Sequence, residues 1–331
     1  MATIKDIARK AGVSPSVVSR ALNNKYGVND ETKAKILKIA REMKYYPNAL
    51  ARSLVTRKTE TIGAVMADIS EPYYSQIIKG MYTVADKSGY TLLFSNSYEN
   101  LEETNILQTL VDSERVDGLV IVGSSTREKN FALNLLERKV PFVLVERKFF
   151  DPRVNCLWVD NIQGAYEATN YLIKQGHQRI AHITGTLDFQ VALDRLEGYK
   201  RALADAGIPF AKELVNTGNF IWQDGYKATK ELLHSQTRCT AIFASNDTMA
   251  YGTLQALSEA GIAVPEDIAV IGFDDLEFSL LTNPPLTTVK QPRFELGKKA
   301  LSVLIALLNG EQKEEGVNIS FPTELIIRRS A

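Results

Sequence analysis

From Thr61 onward, apolar runs of strand length alternate with stretches of helical periodicity, and this rhythm leaves few architectures open. The runs are IGAVMADI (62–69), YTLLFSN (90–96), DGLVIVG (117–123), VPFVLVE (140–146), RIAHIT (179–184), TAIFAS (240–245) and IAVIGF (268–273). Most are apolar at consecutive rather than alternate positions, as strands buried on both faces require. Helical patterns such as SQIIKGMYTVADKSG and NDTMAYGTLQALSEAG lie between them. Strand–helix repetition of this kind predicts parallel sheets covered on both faces. The rest of the 331 residues is too long for one ordinary core, so the pattern predicts two similar, doubly wound α/β lobes.

The first sixty residues read differently. Ile4, Ile7, Ala8 and Ala11 repeat at helical spacing behind Thr3, and Asp6 completes a capping-box pattern. Gly12 permits a turn. Ser14 is placed to cap a second helix, with Pro15 at its first position, where no N–H is needed. A third helix follows Asn29, with Ile36, Ile39, Ala40 and Met43 as its buried stripe. Two helices joined by a tight turn and braced by a third make an all-α helix-turn-helix head. Val18, Ala21 and Leu22 fall on one side of the second helix, and Ser16, Ser19, Arg20 and Asn23 on the other. In a DNA reader that polar side enters the major groove: Arg20 suits a bidentate guanine contact, Ser16 a base or phosphate, and Pro15 a thymine methyl. An ordinary three-helix bundle would also carry a polar outer face. Charge bears on the choice. Residues 1–60 hold 13 basic and 5 acidic side chains, whereas the remainder holds 26 and 34, so a zero net charge hides a basic head on an acidic body.

After Pro47, Asn48 can cap a helix of only a turn or two, 49–54. So short a helix is marginal alone and is expected to order against a partner. A plain interdomain linker would need neither Asn48 nor the Leu50/Leu54 pair.

TIKDIARKAGVSPSVVSRALNN followed by YYPNALARSL resembles the DNA-binding head of the lactose/galactose-repressor (LacI/GalR) family of bacterial transcription regulators, and the resemblance continues to ELIIRRS near the C-terminus. It implies a helix-turn-helix domain over 1–47, a hinge helix and linker over 48–60, and a two-lobed periplasmic-binding-protein-like body over 61–331. Lobe 1 is then about 61–160 and 292–325, and lobe 2 about 161–291. The resemblance places Pro15, Ser16 and Arg20 at operator-reading positions, with Thr3, Ser14, Ser19, Asn23, Asn48, Ala51 and Arg52 also at the DNA. Leu54 stands where the family wedges a leucine into the minor groove.

Ligands of open α/β sheets bind beyond the carboxyl ends of the strands. There the chain carries Glu71, Tyr73 and Tyr74 after the first run, Glu146 and Arg147 after the fourth, and Arg195 in the helix after the fifth. Asn246 and Asp274 follow the last two runs, and Gln291 sits at the implied second crossing between lobes. Aromatic rings cover the apolar faces of a sugar, while carboxylates, amides and guanidiniums satisfy its hydroxyls. The segments EPYY, VER, DRLEGY, SND, GFD and KQP resemble those of periplasmic ribose-binding proteins, with Glu71 departing from an asparagine. Phe189, with Val191, stands where the purine-binding branch has an arginine, with a threonine, which disfavours a purine. Phe220 and Trp222 are candidates for a further stacking wall. Taken singly, these residues also have structural readings: an Arg195–Asp274 pair can tie a lobe together, and Tyr73 and Tyr74 can be core.

No dinucleotide fingerprint, phosphate-binding P-loop, HExxH or GxSxG motif occurs, and three histidines and two distant cysteines have no metal-ligand spacing. No catalytic residue, metal or cofactor is expected. No apolar run reaches the roughly 18–20 residues of a membrane span, and the N-terminus lacks a signal-peptide core, so the expected address is cytoplasmic. The sequence is thus expected to encode a sugar-responsive repressor of a carbohydrate operon. Its expected partners are double-stranded operator DNA, a small sugar and a second copy of itself, as a homodimer or a tetramer. Two alternatives are a catabolite-control-type regulator with a phosphocarrier protein as corepressor, and a sugar-binding protein without a DNA role.

Overall fold

The computed structural model describes residues 2–22, 26–45, 58–96, 109–123, 129–235, 238–311 and 315–331. The chain divides into two compact units, Met1–Thr59 and Glu60–Ala331.

The first unit holds three short helices. Helix α1 (Ile4–Ala11) begins at Thr3, whose N–H donates to Asp6 Oδ2 at 3.0 Å while Asp6 N donates to Thr3 Oγ1 at 3.3 Å. This is the reciprocal cap expected from the sequence, and it satisfies donors that a helix start otherwise leaves open. Gly12 ends α1 at φ 74°, a left-handed turn that a side chain would resist. Helix α2 (Pro15–Leu22) follows, with Val17 N donating to Ser14 Oγ at 3.4 Å. Helix α3 (Asp30–Glu42) is capped by Asn29, which accepts from Thr32 N at 2.8 Å. Ile7, Ala8, Ala11, Val18, Ala21, Ile36, Ile39 and Ala40 bury together as the shared core. The expected hinge helix, with Asn48, Ala51, Arg52 and Leu54, lies outside the described residues, as does Asn23.

The second unit contains two six-stranded sheets among the described residues. In the first, β1 (Thr61–Met66) lies between β2 (Thr91–Asn96) and β3 (Gly118–Val122), followed by β4 (Phe142–Val145), β5 (Asn155–Val159) and β11 (Asn318–Phe321), all parallel. In the second, β6 (Ile180–Thr184) lies between β7 (Val215–Thr217) and β8 (Ala241–Ala244), followed by β9 (Ala269–Asp274) and β10 (Thr287–Lys290), again parallel; β12 (Glu324–Ile326) closes the edge antiparallel to β10. The helices are α4 (Tyr74–Ser88), α5 (Lys129–Glu137), α6 (Asn161–Lys174), α7 (Gln190–Asp205), α8 (Trp222–His234), α9 (Asp247–Glu259) and α10 (Arg293–Leu308). The central strands β3, β4, β6, β8 and β9 are buried along their whole length, which is why they read as continuous apolar runs.

All seven apolar runs are strands. The sequence did not disclose β5, β7, β10, β11 and β12, which are three to five residues long and mostly at or near sheet edges. The last of them alters the lobes. Lobe 1 was expected to run to about 325, but Glu324–Ile326 pairs with β10 of lobe 2. The chain therefore passes between lobes three times: after β5, after β10 and after β11. In lobe 1, α4 and α10 meet at van der Waals limits: a Cβ on Gly80 would sit 2.1 Å from Phe294 O, and one on Gly297 2.1 Å from Ile77 O. A methyl at either position would force the two helices apart. No helix of the described residues is long and apolar enough to cross a membrane.

Candidate functional site

In the head, Ser14, Pro15, Ser16 and Arg20 are exposed, whereas Ser19 is half-buried. Val18 and Ala21 turn inward, so the core fixes which side of α2 faces solvent. Ser14 Oγ and Ser16 Oγ share a hydrogen bond of 2.8 Å. Arg20 extends toward Gly27, whose φ of 98° and missing side chain leave its backbone open. Thr3 is committed differently: its hydroxyl donates to Asp6 Oδ2 at 2.7 Å, which makes it a cap before it is a DNA contact.

In the body, the carboxyl ends of both sheets bring a set of polar side chains together. Tyr73, just before α4, points its hydroxyl at Gln291 Oε1, 3.2 Å away, with Glu146 also in hydrogen-bonding reach. Gln291 Nε2 in turn donates to Asp274 Oδ1 at 2.6 Å. Asp274 lies 3.7 Å from the Arg195 guanidinium, and both side chains are about nineteen-twentieths buried, at 4% and 5% exposure. Arg195 is held on several sides: Nε donates to Asn161 Oδ1 at 2.9 Å, another nitrogen donates to Ser245 O, and the plane stacks 3.9 Å from the Phe273 ring centroid. Arg147 is buried and bonds Gly123 O through Nε. The linked set Tyr73–Gln291–Asp274–Arg195–Asn161 thus joins the lobes at the crossings.

Burial governs the charges here. It pushes the Glu146 carboxyl up, against a hydrogen bond from Tyr73 and the nearby Arg195 and Arg147 cations. Asp274 is raised to about 6, again by burial, with Arg195 opposing most strongly. The Tyr73 hydroxyl is held neutral far above its ordinary range by burial and then by Glu146 and Asp274. Groups so perturbed are candidates for a functional site, although structural ion-pair networks shift charges in the same way. Glu146 at φ 68° and Asp274 at φ 120° occupy conformations that side-chain-bearing residues avoid; such strain gathers where a side chain must be aimed.

The remaining nominated residues divide. Phe189 and Phe220 meet edge to face at 6.4 Å, and the Phe220 ring lies over Gly185, where a Cβ would be 1.9 Å away. Asn246 caps α9 through Met249 N and donates to Phe220 O at 2.9 Å, so its amide is spent on structure. Tyr74 is packed into the lobe 1 core. Glu71 is half-buried beside Asp68. Trp222 is 44% exposed and contacts Tyr226 of its own helix. Three further residues take part that the sequence pattern does not single out. Asn161 orients Arg195. Asp247 accepts from Thr288 Oγ1, Ser279 Oγ and Leu276 N, and burial, then Asp274, raises it to about 7. Arg293 bonds Tyr73 O and Asp275 O. Its signal was legible: a cation at the first position of a helix opposes the helix dipole.

Two family profiles match the chain: "Bacterial regulatory proteins, lacI family" over residues 3–48, and "Periplasmic binding proteins and sugar binding domain of LacI family" over residues 59–329. The ribose operon repressor of Escherichia coli (strain K12) is 40% identical over 306 residues, covering 92% of each chain. The HTH-type transcriptional repressor PurR of Pasteurella multocida (strain Pm70) is 35% identical over 331 residues, covering 100% of this chain and 98% of its own. Among solved structures, the lac repressor dimer bound to operator and the anti-inducer ONPF superposes with a TM-score of 0.89 at 29% identity, covering 99% of this chain and 98% of that one.

Proposed function

The chain belongs to the LacI family of bacterial regulatory proteins, and from that premise we propose that it is a homodimeric repressor of a carbohydrate operon, released from DNA by a small unphosphorylated sugar, a pentose such as ribose. DNA binding and transcriptional regulation come with the family. One observation carries it: Tyr73, Glu146, Gln291, Asp274 and Arg195, drawn from both lobes, converge at the carboxyl ends of the two sheets. Two carboxylates, Glu146 and Asp274, stand against two guanidiniums, Arg147 and Arg195. That balance suits a neutral polyol, whose hydroxyls both donate and accept, better than a phosphate.

A sugar touching both lobes stabilises the lobe orientation in which it makes more contacts, and only that difference in affinity can move the head. Couplings of about 1–3 kcal/mol, or roughly 5–150-fold, are usual. In the head, α2 enters the major groove with Arg20, Ser16 and Pro15 toward the bases, and two copies read a palindrome. Ser14 and Ser19 are assigned to the backbone, with Asn23 and the segment carrying Asn48, Ala51, Arg52 and Leu54 completing the DNA surface. The named relatives are repressors rather than enzymes, and the proposed cycle binds and releases without a chemical step. It operates in the cytoplasm, where the DNA is.

Selection of palindromes from random duplexes by the whole protein supplies the DNA for a test. D-ribose, other pentoses, hexoses and hypoxanthine are then titrated. A pentose is expected to weaken DNA binding by at least about fivefold; a response to hypoxanthine with none to any sugar would reverse the effector reading. Replacing Arg20 by alanine is expected to cost about 1–3 kcal/mol and to relax selection at one base pair per half-site. Uniform weakening over all sequences would instead make Arg20 a phosphate contact.

A further inference from the structure

Arg293 stands just after the second passage between lobes. It is the first residue of α10, which is locked to α4 by the Gly80 and Gly297 contacts, so its backbone belongs rigidly to lobe 1. Its guanidinium is aimed within that lobe: one nitrogen donates to Tyr73 O at 3.3 Å, and the cation lies 5.7 Å from the Tyr73 ring centroid. The other terminal nitrogen donates to Asp275 O, 2.9 Å away, in lobe 2. Only this last bond must break if the lobes rotate.

The far end is also prepared. Asp274, the last residue of β9, and Asp275 after it lie at φ 120° and 54°, two consecutive conformations that cost free energy unless neighbours hold them. Arg328 grips the Asp275 carboxylate at 2.5 Å, and Leu276 N donates to Asp247 Oδ2 at 2.8 Å. Arg293 is 7% exposed, and its Nε has no hydrogen-bond partner among the described residues. Burying a cation with an open donor works against stability. A residue kept there at such a cost does something that a well-packed apolar side chain cannot.

We propose that Arg293 is a strap between the lobes: a positioning residue that transmits the state of the Tyr73–Asp274 crevice into lobe orientation. Its two anchors are the carbonyls of Tyr73 and of the residue after Asp274, so a ligand that shifts either side chain shifts the strap. The strap rests on the effector reading only for what moves it, not for what it joins.

Lobe orientation can be read without a ligand. Nitroxides at Lys87→Cys and Lys227→Cys, exposed positions on α4 and α8, report the interlobe distance by pulsed electron paramagnetic resonance, with each dimer diluted to one labelled chain. In sugar-free protein, Arg293→Met is expected to shift or broaden the distance distribution, and Arg293→Lys, which keeps the charge and can reach one carbonyl, to fall between. The melting temperature serves as a folding control. A folded Arg293→Met with the parental distribution overturns the strap. So does a folded Arg293→Lys as altered as a Met variant, since then length and charge are irrelevant. Addition of D-ribose forms the second arm. If the parent does not respond to it while Arg293→Met still shifts the sugar-free distribution, the ribose reading falls and the strap stands.

Discussion

Five strands of each lobe run in one order, the second, first, third, fourth and fifth side by side, but the sixth differs: β11 joins lobe 1 parallel to β5, whereas β12 joins lobe 2 antiparallel to β10. The polar groups differ more than the winding. Lobe 2 pairs its charges with each other, Arg195 against Asp274, and adds the buried Asp247 behind them. Lobe 1 ties Arg147 to a backbone carbonyl and sets Glu146 against a tyrosine hydroxyl. A shared fold therefore does not share out the chemistry; loops at the strand ends do. Lobe 2 presents an ionic wall, and lobe 1 a face of hydroxyl and carboxylate.

Replacing Arg195 by methionine tests that wall with the largest expected effect. It strands Asp274 as a buried unpaired carboxylate, at a cost of about 3–5 kcal/mol in denaturant unfolding, and removes the sugar response. Adding Asp274→Asn should restore much of the stability but not the response. If the single variant is as stable as the parent, the pair is not what organises lobe 2.

A second test concerns pH. Asp247 in the folded chain sits at about 7, above an ordinary aspartate, so the folded state binds its proton more tightly than the unfolded state does. Its contribution is fullest below the unfolded value and is lost as pH rises through about 7, at a slope of at most about 1.4 kcal/mol per unit. His182, lowered to about 4 by burial, acts in the opposite direction over part of that range, so the comparison is between parent and Asp247→Asn. The difference in melting temperature between them should change steadily from pH 4 to 7 in favour of the asparagine variant. A constant difference would mean that Asp247 is ionised throughout. The smallest effect is expected in lobe 1: Tyr73→Phe removes the hydroxyl that faces both Gln291 and Glu146 and should weaken sugar binding by about 0.5–1.5 kcal/mol. A loss matching that of Arg195→Met would erase the contrast between lobes.

How much was legible follows from the same physics. Buried central strands and one-sided helices announce themselves by period, so the α/β body and the helical head were readable. Edge strands such as β7 and β12 have three residues and no period to detect. In the cleft, Arg195, Asp274, Glu146 and Gln291 could be nominated because charged or amide groups at strand ends need partners. Which partners they take depends on distant segments: Asn161 reaches Arg195 across 34 residues and Gln291 reaches Tyr73 across 218. Trp222 was nominated for its ring, but helix packing turns it toward Tyr226. Asp247 escaped notice because an acid at a helix start is ordinary.

The late return of β12 to lobe 2 has a mechanical outcome. Two bodies joined by a single tether can swivel in any direction; three tethers, at 160, 291 and 322, remove most of those freedoms and leave little beyond a door-like swing. The path of motion is written into the covalent chain before any ligand arrives, and a ligand needs only to choose a point along it. Cutting the last dozen residues would loosen the door at its frame.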